Sequence, residues 1–533
     1  MSSGISQLPP ALMVLGTGSH VGKSILTAAL GRIFANAGYR VAPFKAQNMS
    51  LNSAATPDGR EIGRAQALQA EACRVAACAE MNPVLIKPSS DASSQIVVLG
   101  KVWGQVSAAD YHTKRVEELF PCVLESYHRL AMDHEVIVIE GAGSPAEINL
   151  REHDIVNMRM AHAANAACLL VGDIDRGGVF ASLFGTMQLL EEHDRRMILG
   201  YAINKFRGDQ SLLEPGIQMM APRMAIPCVG VVPYLHNLGL DEEDGVSLED
   251  RRTVAKFWKP QNEVSSLDRP IRIGVVAFPH LANFTDFDPL AAEPSVSLAY
   301  MERPDEVALA DVVILPGSKQ TLQDLDWLRR CGFDRALREA CEQKKPLIGI
   351  CGGFQMLGES IEDPKGMESS GLPASSEGLG LLPIRTTLDA EKTTRRVTGT
   401  CQAAIFGQPA IADSFRGYEI HLGETAYGDD SRGFADIQRE GAQDATEDGA
   451  VSPNGRVFGT YIHGLFDEDR FRHKFLDATR VACGLLGPAS YAYVARDRDQ
   501  RLNRLAEHVK RSLDIGQIAG WLGFDAKRFE EMQ

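Results

Sequence analysis

The chain contains no run of about 18 apolar residues, the length a membrane-spanning helix requires, so no membrane span is predicted. Its ten cysteines include no Cys-x-x-Cys pair. They therefore predict neither a zinc site nor a disulfide framework, and most read as small buried side chains in a reducing compartment. Positive charge is also in deficit. Lys and Arg number 55 against 70 Asp and Glu, for a formal net charge of −15. No basic stripe is available to neutralise phosphates, which argues against a nucleic-acid or anionic-membrane partner. The first residues, MSSGISQLPPALMVLG, lack the basic segment of a secretory signal and run straight into a strand. A cytoplasmic location is the expectation. Internal repeats and low-complexity tracts are absent as well, and nothing in the chain predicts an oligomeric state.

At 533 residues the chain exceeds what one hydrophobic core supports, so two or more domains are expected. Short β-rich runs at Leu12–Leu15, Arg40–Phe44, Gln95–Leu99, Glu135–Ile139, Cys168–Val171, Ile198–Asn204 and Cys228–Val232 alternate with helical patterns such as Ser24–Ala37 and Ile62–Ala79. That alternation predicts an α/β fold with a doubly wound, mostly parallel sheet. Residues 237–270 are charged and lack a strong strand, and read as a linker. A second α/β domain begins at Ile271. The predicted division is 1–236, linker 237–270, 271–475, and a helical segment 476–533. The Ser-, Gly- and acid-rich stretch Glu359–Glu377 is expected to be a surface loop.

Val14–Ser24 reads VLGTGSHVGKS: strand, Gly-rich loop, Lys-Ser, amphipathic helix. Backbone N–H groups of such a loop cradle phosphates at a helix N-terminus. Gly16, Thr17, Gly18, Val21, Gly22, Lys23 and Ser24 are therefore candidate nucleotide-binding residues, with Lys23 reaching the β/γ-phosphates and Ser24 a ligand of Mg²⁺. A phosphate loop needs a further carboxylate at a neighbouring strand end, and EVIVIEGAG supplies Glu140. VGDIDRGG ends another strand with Asp173 and Arg176, candidate substrate-side residues, because strand C-termini in open α/β sheets converge on the ligand. Asn204, in INKFRGD, follows a late strand.

In the second half, LIGICGGFQMLG places Cys351 between a short buried strand and an apolar helix. Gly-x-Cys-Gly-Gly at such a junction is the thiol form of a nucleophile elbow, where glycines let backbone pass close to the nucleophile. A cysteine nucleophile needs a base and an oxyanion hole. VFGTYIHGLF supplies His463, and the Pro316-Gly317-Ser318 turn offers N–H groups to complete the hole with Gly352.

These motifs carry family resemblances. Thr17 stands where the commonest phosphate loop has glycine, and the form Gly-Thr-x-Ser-x-x-Gly-Lys-Ser resembles the loop of dethiobiotin synthetase and its relatives. In that group an asparagine placed like Asn204 reads the base. The second half resembles a class I glutamine amidotransferase domain, which is flavodoxin-like. That resemblance implies that Cys351 attacks the glutamine amide, releasing ammonia, and that Gly317, Gly352 and Gln355 belong to the oxyanion and glutamine site. The usual class I triad has a glutamate two residues after the histidine, where this chain has Leu465. This departure resembles the cobyrinate-amidating branch, which is expected to act as a Cys–His dyad, with Asp467 or Glu468 the remaining candidates to orient His463. GYEIHLGET is similar to that branch too, with Glu419 and His421 either lining the site or packing beneath it.

The two halves together resemble the glutamine-hydrolysing amidases of corrinoid biosynthesis over nearly the whole chain. The resemblance implies ATP, Mg²⁺ and glutamine as requirements and a corrinoid as substrate. Four peripheral carboxylates of adenosylcobyrinic acid a,c-diamide would be amidated through an acyl phosphate. The competing branch makes the a,c-diamide itself and carries aspartates after the second strand. Here that place reads FKAQNMSLNS, with Gln47 and Asn48 as further candidate substrate-side residues. A MinD-type partitioning ATPase would carry an additional lysine within Gly16–His20, and none is there. Peptidoglycan-amidating enzymes usually divide the two domains over two chains.

Overall fold

The structure, a computed structural model, describes residues 8–90, 93–107, 116–235, 240, 258, 269–369, 371–429, 431–485, 491–494 and 497–530. Most of the expected linker, 237–270, lies outside the described residues. The chain forms two compact units that do not follow a single cut. Unit 1 comprises residues 1–50, 62–243 and 498–533, and unit 2 comprises 51–61 and 244–497. The helical C-terminal segment therefore does not stand apart. Its portion from 498 onward belongs to unit 1, and residues 51–61 of the first half fold with unit 2.

Unit 1 is built on a six-stranded parallel sheet in the order Cys228–Pro233, Ile198–Phe206, Ala167–Asp173, Ala11–Gly16, Val136–Glu140, Val41–Phe44. Side-chain alternation sends Leu12, Val14, Val138 and Leu169 into one apolar cluster and Met13, Leu15, Ile139 and Leu170 into another. Both faces are covered, which explains why these strands read as continuous apolar runs. The helix Arg498–Ser512 buries Leu502, Leu505 and Val509 in the cluster that holds Leu26, Leu30 and Ile33 of helix Lys23–Asn36. Arg32, 1% exposed, pairs with Asp499 at 2.6 Å.

The run expected as a strand at Gln95–Leu99 lies outside this sheet. Ser93–Val98 pairs antiparallel with Val84–Ser90 and with Lys101–Ser107. Leu99 and Gly100 have φ of 45° and 72°, the two left-handed residues of a tight hairpin turn. The helix expected at Ile62–Ala79 is shorter, Arg64–Ala72 followed by a 3₁₀ turn at Ala79–Met81.

Unit 2 has a second sheet of the same kind. Its order is Val296–Met301, Ile271–Val276, Val312–Leu315, Leu347–Ile350, Val457–Thr460, Ala450–Val451, parallel except for the last pair. A mixed sheet accompanies it, dominated by the long antiparallel pair Ile384–Cys401 and Ser414–Tyr427. The stretch expected as a surface loop at Glu359–Glu377 contributes two strands to that sheet, Ser360–Asp363 and Ala374–Glu377, and buries Glu368.

Candidate functional site

In unit 1, sheet register brings the predicted phosphate-site residues to one end. Val14 pairs with Glu140, Gly16 with Val171 and Asp173 with Asn204, so the loop, the acid and the asparagine all sit at strand C-termini. Gly22 has φ 95°, and a side chain there would put Cβ 2.3 Å from Asn204 Nδ2. Glycine is thus required at that position. Asn204 Nδ2 donates to the Val21 carbonyl at 2.8 Å, bracing the loop from a strand two places away in the sheet. Lys23 Nζ donates to the carbonyls of Gly18 and Gly143 at 2.8 and 3.0 Å.

Ser24 Oγ donates to Glu140 Oε1 at 2.8 Å. These are two hard oxygen donors brought together, the ligand chemistry that Mg²⁺ takes, and they fit it. Glu140 is 1% exposed and pairs with Lys45 Nζ at 2.8 Å, while Gln69 Nε2 donates to its other oxygen at 2.5 Å. Burial alone would raise the Glu140 carboxyl, but the Lys45 charge and the hydrogen bonds from Lys45, Gln69 and Ser24 hold it below its ordinary value. Lys45 and Gln69 complete the surroundings of Glu140 and carry no motif of their own, although Lys45 lies inside the segment FKAQNMSLNS.

The candidate substrate-side residues are not gathered equally. Asn48 is buried and donates to Gln66 Oε1 at 3.0 Å. Gln47 is half-buried beside it. Asp173 pairs with Lys205 at 3.1 Å and accepts from the Asp175 N–H, whereas Arg176 is exposed on the following loop.

In unit 2, the elbow is as sharp as the sequence implies. Cys351 has φ 51° and ψ −109°, a conformation non-glycine residues rarely hold. A Cβ at Gly353 would lie 2.0 Å from the Leu315 carbonyl oxygen, and one at Gly352 would lie 2.9 Å from the Ser318 N. One at Gly317 would stand 3.2 Å from His463 Cε1. The Gly352–Gly353 turn therefore packs directly against the Pro316–Ser318 turn beside Cys351. Gln355, one turn into the helix, is buried and donates to the Leu422 carbonyl and the Tyr461 hydroxyl, both at 3.1 Å.

His463 is 1% exposed, and its Nδ1 meets Asp286 Oδ2 at 2.6 Å. Asp286 Oδ1 accepts the Gly464 N–H at 3.0 Å. The carboxylate fixes the proton on Nδ1 and leaves Nε2 for the thiol. Burial opposes charge on His463, but the Asp286 and Cys351 charges and hydrogen bonds outweigh it and push the imidazole up to about 10. The expected dyad thus gains an orienting acid. It is neither Asp467 nor Glu468; Glu468 pairs instead with Arg416 at 2.6 Å. Asp286 lies 177 residues from His463, in the 3₁₀ turn Phe284–Phe287, and no local motif marks it.

Glu419 and His421 sit beside the site rather than in its reacting set. Glu419 takes two hydrogen bonds from Arg439, at 2.6 and 2.8 Å. Burial opposes ionisation there too, yet the Arg439 and His421 hydrogen bonds and charges bring Glu419 down to about 2. His421 stacks on Tyr461 with ring centroids 3.8 Å apart. Between them in sequence, the Ile420 carbonyl accepts from Cys351 Sγ at 3.6 Å.

Comparison with known proteins agrees with this geometry. Residues 12–248 match the CobQ/CobB/MinD/ParA nucleotide binding domain, and residues 272–471 match the CobB/CobQ-like glutamine amidotransferase domain. The chain is 47% identical to a cobyric acid synthase of Desulforudis audaxviator, across 96% of this chain and 99% of that one. It is 47% identical to the cobyric acid synthase of Sorangium cellulosum, over 97% and 99% of the two chains. With that of Yersinia enterocolitica the identity is 45%, over 95% and 97%.

Proposed function

As a member of the cobyric acid synthase family, the chain is an ATP-dependent, glutamine-hydrolysing ligase that amidates corrinoid carboxylates, and we propose that it does so with two separate sites, one in each unit. The observation that carries this reading is the presence, in one polypeptide, of a phosphate loop with its Ser24–Glu140 pair and a Cys351–His463–Asp286 constellation. The substrate is adenosylcobyrinic acid a,c-diamide, amidated at the b, d, e and g carboxylates to give cobyric acid.

At the glutaminase site, His463 Nε2 takes the Cys351 proton and the thiolate attacks the side-chain amide carbon of glutamine. The developing oxyanion is met by backbone N–H groups of the Gly317 and Gly352 turns. Collapse expels ammonia, to which the imidazolium returns the proton, and leaves a glutamyl thioester. Water, deprotonated by His463, then releases glutamate and restores the thiol. Asp286 holds the imidazolium through both steps.

At the phosphate site, a substrate carboxylate attacks the γ-phosphorus of ATP and ADP departs, giving an acyl phosphate. Ammonia adds to that carbonyl and phosphate leaves, so that carboxylate becomes carboxamide. Lys23 and the loop N–H groups position the phosphates and offset their charge. Ser24 and Glu140 would hold Mg²⁺, which when bound neutralises phosphate oxygens. Lys45, already paired with Glu140, keeps a second positive charge at this end of the sheet.

Mass spectrometry tests the reading. Incubation of adenosylcobyrinic acid a,c-diamide with protein, ATP, Mg²⁺ and glutamine is expected to yield four successive replacements of hydroxyl by amino. A corrinoid of unchanged mass refutes it. Amidation of cobyrinic acid that stops at two positions identifies the competing branch instead.

A further inference from the structure

Residues 51–61 come from the first half of the sequence but fold within unit 2. A Thr-Pro-Asp-Gly turn reverses this segment, with the Thr56 N–H donating to the Arg60 carbonyl at 2.8 Å and Gly59 at φ 75°. It is fastened at several points. Glu61, 1% exposed, pairs with Lys392 at 2.6 Å. Arg396 Nε donates to the Ala55 carbonyl at 2.9 Å.

What the segment touches is the histidine end of the glutaminase. The Ser53 N–H donates to Asn283 Oδ1 at 2.8 Å, and Asn52 Oδ1 accepts the Phe284 N–H at 3.1 Å. Asn52, Ser53 and Asn283 are all buried. Asn283 is left-handed, with φ 53°, and begins the turn Phe284–Phe287; its carbonyl accepts the Asp286 N–H at 3.0 Å. Its Nδ2 lies 3.2 Å from His463 Nε2. Ala55 packs with Tyr418 and Ile420. Tyr418 stacks on the His463 ring, and Ile420 supplies the carbonyl beside Cys351 Sγ.

We propose that Asn52 and Ser53 are positioning residues of the glutaminase, holding the Asn283 turn so that Asp286 and Asn283 present His463 to Cys351. The proposal rests on the glutaminase reading above and names a part of that site which neither family match assigns. Two hydrogen bonds fix both the side chain of Asn283 and the first N–H of the turn that carries Asp286. Removing them frees a left-handed residue from the contacts that determine it. The imidazole then loses its direction relative to the thiol, while the phosphate site keeps its own residues.

The test compares full-length wild type, Asn52→Leu, Asn52→Asp, Asn283→Ala and the Asn52→Leu/Asn283→Ala double variant. Glutamine hydrolysis and amidation driven by ammonium chloride are measured on each. Asn52→Leu is expected to lower kcat for glutamine by about ten- to a hundredfold, as sub-ångström misplacement of a catalytic group does, with KM little changed. Ammonium-driven amidation stays at the wild-type rate. Asn52→Asp, which keeps the acceptor oxygen, recovers most of the loss, and the double variant loses less than the two single losses combined, because the two hydrogen bonds hold one turn. Wild-type kcat in Asn52→Leu, equal damage from Leu and Asp, or additive losses in the double variant overturn the proposal. Should Asn52→Leu not fold, Asn283→Ala alone decides by whether the glutamine rate falls while the ammonium rate holds. A wild type that hydrolyses no glutamine refutes the glutaminase reading itself, a result distinct from all of these.

Discussion

Replacing Asp286 by Asn tests the orienting acid directly. The change keeps shape and a carbonyl acceptor but removes the charge. His463 is raised from 6.5 to about 10, which at 1.36 kcal/mol per tenfold is about 5 kcal/mol of preference for the imidazolium. Burial works against that preference and the Asp286 charge is the largest of the influences that favour it, so Asp286 supports the imidazolium by at least about 2–3 kcal/mol. The imidazolium is the form that exists once His463 has taken the thiol proton. Its loss of support is therefore expected to lower kcat for glutamine on the order of a hundredfold. KM changes little, because the carboxylate touches no substrate. Glutamate release, followed by a coupled dehydrogenase, gives both constants across pH. The alkaline limb of the kcat profile, set by deprotonation of His463, moves to lower pH in the variant. Stability follows the same linkage. A raised histidine contributes fully below pH 6.5 and loses that contribution as pH rises through about 10. The melting gap between wild type and Asp286→Asn is thus widest near pH 6 and closes toward pH 10. A variant with kcat within about threefold of wild type and an unmoved alkaline limb would refute the reasoning.

Three other outcomes are expected. Cys351→Ala abolishes glutamine-dependent amidation and spares amidation with ammonium salts; loss of both in a folded protein breaks the two-site scheme. Lys23→Ala stops amidation with either nitrogen source, and unchanged turnover removes the phosphate-loop assignment. Glu140→Gln removes the buried charge that Lys45 pairs with and lowers the melting temperature even without nucleotide; an unaltered melting curve contradicts the pairing.

What was legible in the sequence was whatever is local. The loop Gly16–Ser24 and the elbow at Cys351 are contiguous, because backbone must turn within a few residues to present N–H groups or a thiol. Gly16 and Gly22 of the loop and Gly352 and Gly353 of the elbow occupy places where a Cβ meets backbone or a side chain within about 3 Å. His463 is legible because it follows a β-rich strand in the same α/β unit as the cysteine elbow, and the structure pairs that strand with the elbow's own. Asp286 escaped because its role depends on a turn folding back across 177 residues, and its neighbours Phe284 and Phe287 look like ordinary core. Residues 51–61 escaped for the same reason. Their polar, turn-like composition describes the hairpin correctly but carries no information about which body it joins. Gln95–Leu99 shows the remaining kind of ambiguity. A β-branched run has the same local appearance in a parallel core and in a side hairpin, and only the left-handed Leu99–Gly100 turn separates the two.

The chain passes from one compact unit to the other after residues 50, 61, 243 and 497. No single scission separates the two activities as intact modules. A gene divided near residue 243 would encode one fragment carrying the strap that braces the Asp286 turn and another carrying the helix that covers Leu26 and Leu30. Each product would lack a piece of its own body and hold a piece of the other's. Recombination that exchanges halves between relatives would fail for the same reason unless the strap and the terminal helix travelled with their true partners. Selection can thus tune the glutaminase only together with eleven residues encoded far upstream of the rest of its unit.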